Sequence, residues 1–343
     1  MSKILVTGGC GYIGSHTIID LIENGFEVIC VDNNIRSNAN ILHAVKEITG
    51  CSIPHYATDL CELDALKAIF EEHKDIAGII HFAAYKSVPE SVQYPIKYYQ
   101  NNLNSLLNIL TCISDYHIPN FIFSSSCSIY GNPEVLPVTE DTPMSKAESP
   151  YASTKQMAER IIQDFSAAHP STNSLLLRYF NPAGAHPSGL IGEIPQNGAY
   201  NVIPILLESL TGVRGTFVVT GDDHPTRDGS CIRDYIHVMD VGNAHTKSLQ
   251  YLLRQANQNN CEAFNVGIGQ GVSVLELITA FNKATGQELK YNIGPRRSGD
   301  VSSIYSDYSK AKQQLGWSPQ YTVDEILASA WKWYQKGYQL AQK

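Results

Sequence analysis

Lys3-Ile4-Leu5-Val6-Thr7-Gly8-Gly9-Cys10-Gly11-Tyr12-Ile13-Gly14 is the stretch on which the reading of this chain turns. Ile4, Leu5 and Val6 form a short continuous apolar run, the pattern of a strand buried on both faces of a parallel sheet. Gly8, Gly11 and Gly14 then set a tight turn into a helix expected over 15–24. The first glycine permits the turn, the second lets backbone approach a pyrophosphate, and the third lets helix and strand pack closely. The helix N-terminus offers unpaired N–H groups and a partial positive charge to phosphates. Gly25 ends the helix, 27–31 reads as a second strand, and Asp32 stands at its end. A carboxylate there accepts hydrogen bonds from an adenosine ribose 2′-OH and repels a 2′-phosphate. A plain loop or cap aspartate is the weaker reading after this loop and strand.

With 343 residues the chain has room for roughly two domains, or one α/β domain with a smaller appendage. A hydrophobic content of 43% with 17% charged residues is that of a globular protein with a sizeable core. The formal net charge of −8 argues against a nucleic-acid partner, so an anionic ligand must find local arginines and lysines. No basic segment with an apolar stretch opens the chain and no apolar run reaches membrane-spanning length, so a cytoplasmic protein with no membrane partner is expected. The eight cysteines are scattered without a Cys-x-x-Cys pair, the usage of free thiols in a reducing compartment, and no metal site is expected.

Strand and helix alternate through the first half. A helix is expected over 38–49, closed by Gly50, and a third strand over 53–57, followed by Asp59-Leu60. Asp59 either lies over an adenine or caps the amphipathic segment 63–73. A fourth strand, 78–82, runs into Ala83-Ala84-Tyr85-Lys86; a long helix covers 94–116, with Asn101 and Asn102 in it; a fifth strand covers 120–125. Such alternation predicts right-handed crossovers and a doubly wound parallel sheet that binds its ligand at the C-terminal ends of the strands. After a strand at 175–179 the rhythm weakens. Residues 1–180 therefore read as a dinucleotide-binding Rossmann domain and 181–343 as a smaller mixed α/β lobe, some of whose strands can return to the main sheet. In that lobe helices are expected at 202–211, 241–255 and 274–284, and strands at 216–220 and 232–237. Ser273 with Glu276 and Thr322 with Glu325 read as capping boxes.

The fifth strand delivers Ser124-Ser125-Ser126-Cys127-Ser128 to the binding edge, and Tyr151-Ala152-Ser153-Thr154-Lys155 begins a helix expected over 151–168. Tyr151 and Lys155 stand at i and i+4, on one face. A phenol normally titrates near 10, but a lysine ammonium and a cationic nicotinamide both favour phenolate, which makes Tyr151 a usable base. Tyr308 and Lys312 repeat the spacing without the serine-rich strand end, and read as an exposed helix face. Arg233, and Arg296-Arg297-Ser298-Gly299-Asp300 in a Gly/Pro-flanked loop, invite a diphosphate, since guanidinium matches phosphate oxygens bidentately; surface ion pairing with nearby aspartates is the alternative. His55, His81 and His237 lie in expected strands and read as core or hydrogen-bonded residues, Trp331 and Trp333 as packing residues.

Thr7–Gly14 resembles the Thr-Gly-x-x-Gly-x-x-Gly loop of the extended short-chain dehydrogenase/reductases. With 8–16, 81–83, 121–126, 178–182, 184–189 and 233–240, the chain is similar over nearly its whole length to the UDP-glucose (UDP-galactose) 4-epimerase family. The resemblance implies a homodimer paired through helices including 94–116, bound NAD, and interconversion of UDP-glucose and UDP-galactose through a 4-keto sugar in galactose metabolism. It implies Ser126, Tyr151 and Lys155 as the catalytic group. Gly8, Gly11, Tyr12, Ile13, Gly14, Asp32, Asn33, Ser37, Asp59, Leu60, Phe82, Ala83, Lys86, Asn102 and Phe180, with Tyr151 and Lys155, would line the NAD site. Lys86, Ser126, Tyr151, Asn181, Asn201, Arg233, Arg297, Asp300 and Ile304 would hold the UDP-sugar. Four positions depart from the family pattern. Arg36 replaces a small polar residue beside the adenosine ribose; Ala84 replaces a glycine; Thr220 stands where an aromatic packs near the uracil; Ile304 stands where a tyrosine or a small residue decides whether an N-acetyl group fits. Related 4,6-dehydratases carry an Asp-Glu pair beside the serine or threonine, where this chain has Cys127-Ser128. Epimerases of N-acetylhexosamine, uronate or pentose UDP-sugars remain alternatives, as does a non-catalytic NAD sensor, against which the retained Ser126, Tyr151 and Lys155 argue.

Overall fold

The computed structural model describes residues 2–195, 198–297 and 300–338. The first six strands are β1 (Lys3–Thr7), β2 (Glu27–Val31), β3 (His55–Tyr56), β4 (Ile76–His81), β5 (Asn120–Ser126) and β6 (Asn173–Tyr179). β7 (Asn181–Ala183), β8 (Phe217–Thr220), β9 (Ile232–Arg233) and β10 (Tyr235–His237) are short and lie in small separate sheets. β11 (Cys261–Val266) then returns to pair with β6, and the parallel main sheet runs β11-β6-β5-β4-β1-β2-β3. The helices are α1 (Tyr12–Glu23), α2 (Ile41–Thr49), α3 (Leu63–Glu72), α4 (Val88–Gln93), α5 (Pro95–Asp115), α6 (Pro150–Ala168), α7 (Val202–Leu210), α8 (Val238–Leu253), α9 (Val274–Thr285) and α10 (Val323–Trp333).

Both faces of the sheet are covered, as the apolar run at its centre requires. Ile4 and Val6 pack with Ile18 and Ile19 of α1 and Val241 and Leu249 of α8. Leu5 faces the other way, into a layer with Ile69 of α3, Ile109 of α5 and Ile162 of α6. The chain runs outward from β1 through β2 to β3 and then crosses back to β4 on the other side of β1, which opens a crevice at the C-terminal ends of these strands. Residues beyond 180 contribute to two structures: α8 and β11 complete the main sheet's layers, while α7, α9 and α10 enclose a second core around Phe217, Phe281, Ile326 and Trp333.

The strand expected over 232–237 is two strands in different sheets, split at Asp234. Its carboxylate accepts Ile268 N at 2.8 Å, Gly269 N at 3.1 Å and Ser306 Oγ at 2.6 Å, partners far along the chain. The long helix begins at Pro95 and is preceded by a short one, α4, capped by Ser87. Both capping boxes form. Tyr308 is half-buried with its ring edge-on to Trp317 at 6.0 Å, rather than on an exposed face, because the segment after it turns back onto the core. Among the described residues no helix is long and apolar enough to cross a membrane.

Candidate active site

The glycine loop is held by backbone geometry. Gly8 adopts a φ of 69°, and a Cβ there would lie 2.8 Å from Ala83 N. A Cβ on Gly14 would lie 2.3 Å from Gly8 O, so helix and loop touch as the spacing requires. Gly11 differs: its Cβ would meet only Gly8 O, at 3.1 Å, and otherwise fill open space. Gly11 is also the N-cap of α1, with no side-chain cap and no acidic residue in the first turn, so the helix presents its N–H groups to that space. This cradle fits a dinucleotide pyrophosphate. Tyr12 donates from its hydroxyl to Gly184 O at 2.6 Å, tying the loop to the chain beyond the main sheet. Ile13 packs on the α1–α8 layer and Leu60 on the α3–α5 layer.

Asp32 stands at the end of β2 and accepts Cys10 N at 3.0 Å, Ser37 Oγ at 2.8 Å and Asn34 N at 2.9 Å. Asn33 donates to Asp59 at 3.2 Å, and Asp59 accepts Cys61 N at 2.9 Å. Arg36 does not face Asp32. Its guanidinium pairs with Glu90 and lies 5.2 Å from the Tyr85 ring centre. Phe82 packs its ring on His245, and Ala83 N donates to Thr7 Oγ1 at 3.4 Å. Asn102 is buried and shapes this border from below: it exchanges bonds with Tyr85 N at 2.8 Å and Tyr85 O at 3.0 Å, and donates to Thr154 Oγ1 at 3.2 Å. Cys10, Cys30 and His55 place three possible ligand atoms within 4.8 Å of one another behind the loop, and His55 Nε2 lies 3.2 Å from Asp32 O.

At the end of β5, Ser126 faces α6, whose first turn is capped by Ser149 Oγ accepting Ala152 N at 3.2 Å. Lys155 is buried, donates to Ser124 O at 2.6 Å, and lies 6.0 Å from the centre of the Tyr151 ring. The acidified phenol expected of this pair rests on a cationic nicotinamide as well as on the lysine. Desolvation pushes Tyr151 up to about 12, a hydrogen bond with Ser126 opposing. Desolvation also pulls Lys155 down to about 7, the Glu159 carboxylate opposing. In the protein alone, burial governs both groups.

Glu159 was not singled out by sequence, although it continues the Tyr151–Lys155 stripe by one more turn. Fully buried, it accepts Ser125 Oγ at 2.5 Å and Arg178 Nε and Nη2 at 3.0 and 2.7 Å. Arg178 Nη1 reaches Tyr130 Oη at 3.0 Å, which donates to Asn265 at 2.7 Å. The network fastens α6 to β5, β6 and β11 directly beneath the reacting groups.

On the substrate side, Asn181 Oδ1 is buried with no hydrogen-bond partner among the described residues. Lys86 Nζ and Asn201 Nδ2 converge on Glu193, at 3.4 and 2.6 Å. Arg233 donates to Ile232 O at 2.9 Å and pairs in register with Ile304. Ile304 is 4% exposed and packs with Ile129, Tyr130 and Phe180. Both loop arginines are ion-paired: Arg296 binds Asp223 at 2.6 Å and Arg297 binds Asp300 at 2.7 Å, with Thr220 Oγ1 3.4 Å from the same Asp300 carboxylate. Ser298 and Gly299 of that loop lie outside the described residues.

Residues 5–330 match the family model described as GDP-mannose 4,6 dehydratase. The UDP-glucose 4-epimerase of Bacillus subtilis (strain 168) is 43% identical over 342 residues, covering 99% of each chain. The chain belongs to the UDP-glucose 4-epimerase family. The crystal structure of UDP-glucose 4-epimerase from Bifidobacterium longum, in complex with NAD+ and UDP, matches with a TM-score of 0.93 and 41% identity over 98% of both chains. That from Stenotrophomonas maltophila, with bound NAD and formylated UDP-arabinopyranose, matches with a TM-score of 0.95 and 37% identity over 100% and 99%. Within this epimerase family the chain also lacks the dehydratases' acid–base pair: Cys127 and Ser128 occupy its place, and burial pushes the Cys127 thiol up to about 12.

Proposed function

We propose that the chain is an NAD-dependent 4-epimerase that interconverts UDP-glucose and UDP-galactose through a 4-keto sugar. The observation that carries this reading is the meeting of Ser126, Tyr151 and Lys155 at the C-terminal strand edge beside the glycine cradle, with no carboxylate at 127 or 128. NAD, when bound, supplies the acceptor and donor for the hydride on C4 of the sugar. Tyr151 takes the proton of the 4-hydroxyl, and Ser126 hydrogen-bonds the same oxygen. Lys155, fixed on Ser124 O, would hold the nicotinamide ribose and, when protonated, place positive charge beside the phenol. A phenol at about 12 is a poor base at neutral pH, so it becomes active only with further positive charge beside it, which couples proton abstraction to cofactor binding. The 4-keto sugar then turns about its link to UDP and is reduced on its other face.

Asn181, whose oxygen has no partner among the described residues, and Asn201, Lys86 and Arg233 line the proposed sugar-nucleotide path. The Arg297–Asp300 pair must open for either residue to contact the ligand. Ile304, stiff and held among apolar neighbours, disfavours an N-acetyl group and offers it no hydrogen bond. We also propose a homodimer through α5 and α6, where Leu107 and Met157 are exposed, and a cytoplasmic role in galactose metabolism.

The test is a screen of UDP-sugars with product stereochemistry read by NMR. UDP-glucose and UDP-galactose should interconvert, with slower turnover of UDP-N-acetylglucosamine. The Stenotrophomonas structure holds a UDP-pentose derivative, so UDP-arabinose belongs in the same screen. Turnover confined to a pentose or uronate pair would reassign the substrate, and no turnover of any would refute the enzyme reading.

A further inference from the structure

Arg36 follows Asp32 by four residues on the loop leaving β2. In dinucleotide sites an acidic residue at this strand end reads the ribose 2′-hydroxyl, whereas an arginine nearby accommodates a 2′-phosphate. This chain carries both, and their consequences oppose each other. The structure shows where the guanidinium goes. It is paired with Glu90 on α4 and lies over the Tyr85 ring, 5.2 Å from its centre. Glu90 follows β4 and Arg36 follows β2, and β1 lies between those strands, so the pair bridges the two borders of the glycine-loop crevice.

Glu90 is itself fixed. Its Oε2 accepts the hydroxyl of Tyr98, which is fully buried, at 2.9 Å, and its Oε1 accepts Lys97 Nζ at 2.8 Å. Its backbone N–H donates to Ser87 Oγ, the cap of α4, at 3.3 Å. The carboxylate therefore stays with its helix, and the arginine is drawn to it. Asp32, meanwhile, is oriented by Cys10 N and Ser37 Oγ and, among the described residues, is hydrogen-bonded to no guanidinium.

We infer that Glu90 is a specificity-determining residue for the dinucleotide: by holding Arg36 it withholds the guanidinium from a 2′-phosphate and leaves Asp32 to select NAD over NADP. The inference rests on the NAD reading above. It places the selectivity of the site partly on a helix that does not follow the usual acidic strand end.

Binding of NAD and of NADP to protein stripped of dinucleotide tests it by calorimetry. Glu90→Gln keeps the shape and removes the charge. It should raise NADP affinity relative to NAD by about ten-fold or more, the worth of one charge-assisted contact. Adding Arg36→Ser should abolish the gain, and adding Lys97→Ala should not. Arg36→Ser alone, with Glu90 still held by Tyr98 and Lys97, should leave the wild-type ratio within about two-fold. An unchanged ratio in Glu90→Gln that still binds NAD, a gain that survives Arg36→Ser, or a several-fold fall in NADP affinity in Arg36→Ser alone would each overturn the assignment. Failure of the wild-type protein to bind NAD at all would instead strike the functional reading on which this rests.

Discussion

Tyr151 and Lys155 stand one turn apart, and desolvation moves their protons in opposite directions. Tyr151→Phe keeps the ring, so UDP-sugar and NAD binding should survive while kcat falls by roughly two to four powers of ten; Tyr308→Phe, measured beside it, should do little. Lys155 carries a stability penalty. Its ammonium titrates near 10.5 unfolded and at about 7 folded, so between these values the unfolded chain binds more protons and stability rises with pH. Below about pH 7 the penalty is complete, and the shift corresponds to on the order of 5 kcal/mol. Lys155→Met should therefore abolish turnover yet stabilise the NAD-free protein at pH 7 by about 1–3 kcal/mol, because lost bonds to Ser124 offset part of the relief. Denaturant melts at pH 7 and pH 10 check this: the gain should shrink at the higher pH. At this scale the Tyr-x-x-x-Lys spacing was legible from sequence. The charge balance was not, since it depends on how much of the fold surrounds each group.

Helix α6 carries Tyr151, Lys155 and Glu159 on one stripe, and its placement depends on what Glu159 binds. Arg178→Met leaves a fully buried carboxylate without its cation and should cost about 3–5 kcal/mol by thermal or urea unfolding. Glu159→Met combined with Arg178→Met should recover much of that loss, since the pair is replaced rather than broken. Kcat should stay low in both, because the carboxylate opposing Lys155 deprotonation is ineffective or absent. Apolar runs made most strands legible, and Ser273-x-x-Glu276 and Thr322-x-x-Glu325 marked the starts of α9 and α10. The break between β9 and β10 was not legible, because Asp234 is paid by N–H groups at 268, 269 and 306 that only the fold brings near. The six-residue helix α4 was missed because it is too short to show a period.

The whole molecule divides its tasks as a doubly wound sheet does, with chemistry at the C-terminal edge and packing elsewhere. The alternation of the first half made that plan legible, and the return of a later strand to the main sheet was visible as a possibility, but neither β11 itself nor the packing of α8 on that sheet was legible. On the far side of α5 and α6, exposed Leu107 lines a groove with Leu110, Ile161 and Phe165, and Met157 of α6 is exposed as well. Leu107→Glu should shift the protein from dimer to monomer in sedimentation, with NAD retained; an unchanged monomer in the wild type would remove the proposed pairing. The central claim is that one hydrogen leaves C4 of the sugar and returns to the same carbon without meeting solvent. UDP-galactose deuterated at C4, turned over in ordinary water and examined by NMR, tests it most directly. The account predicts UDP-glucose that keeps its deuterium at C4, whereas product carrying hydrogen from solvent at that carbon would contradict it.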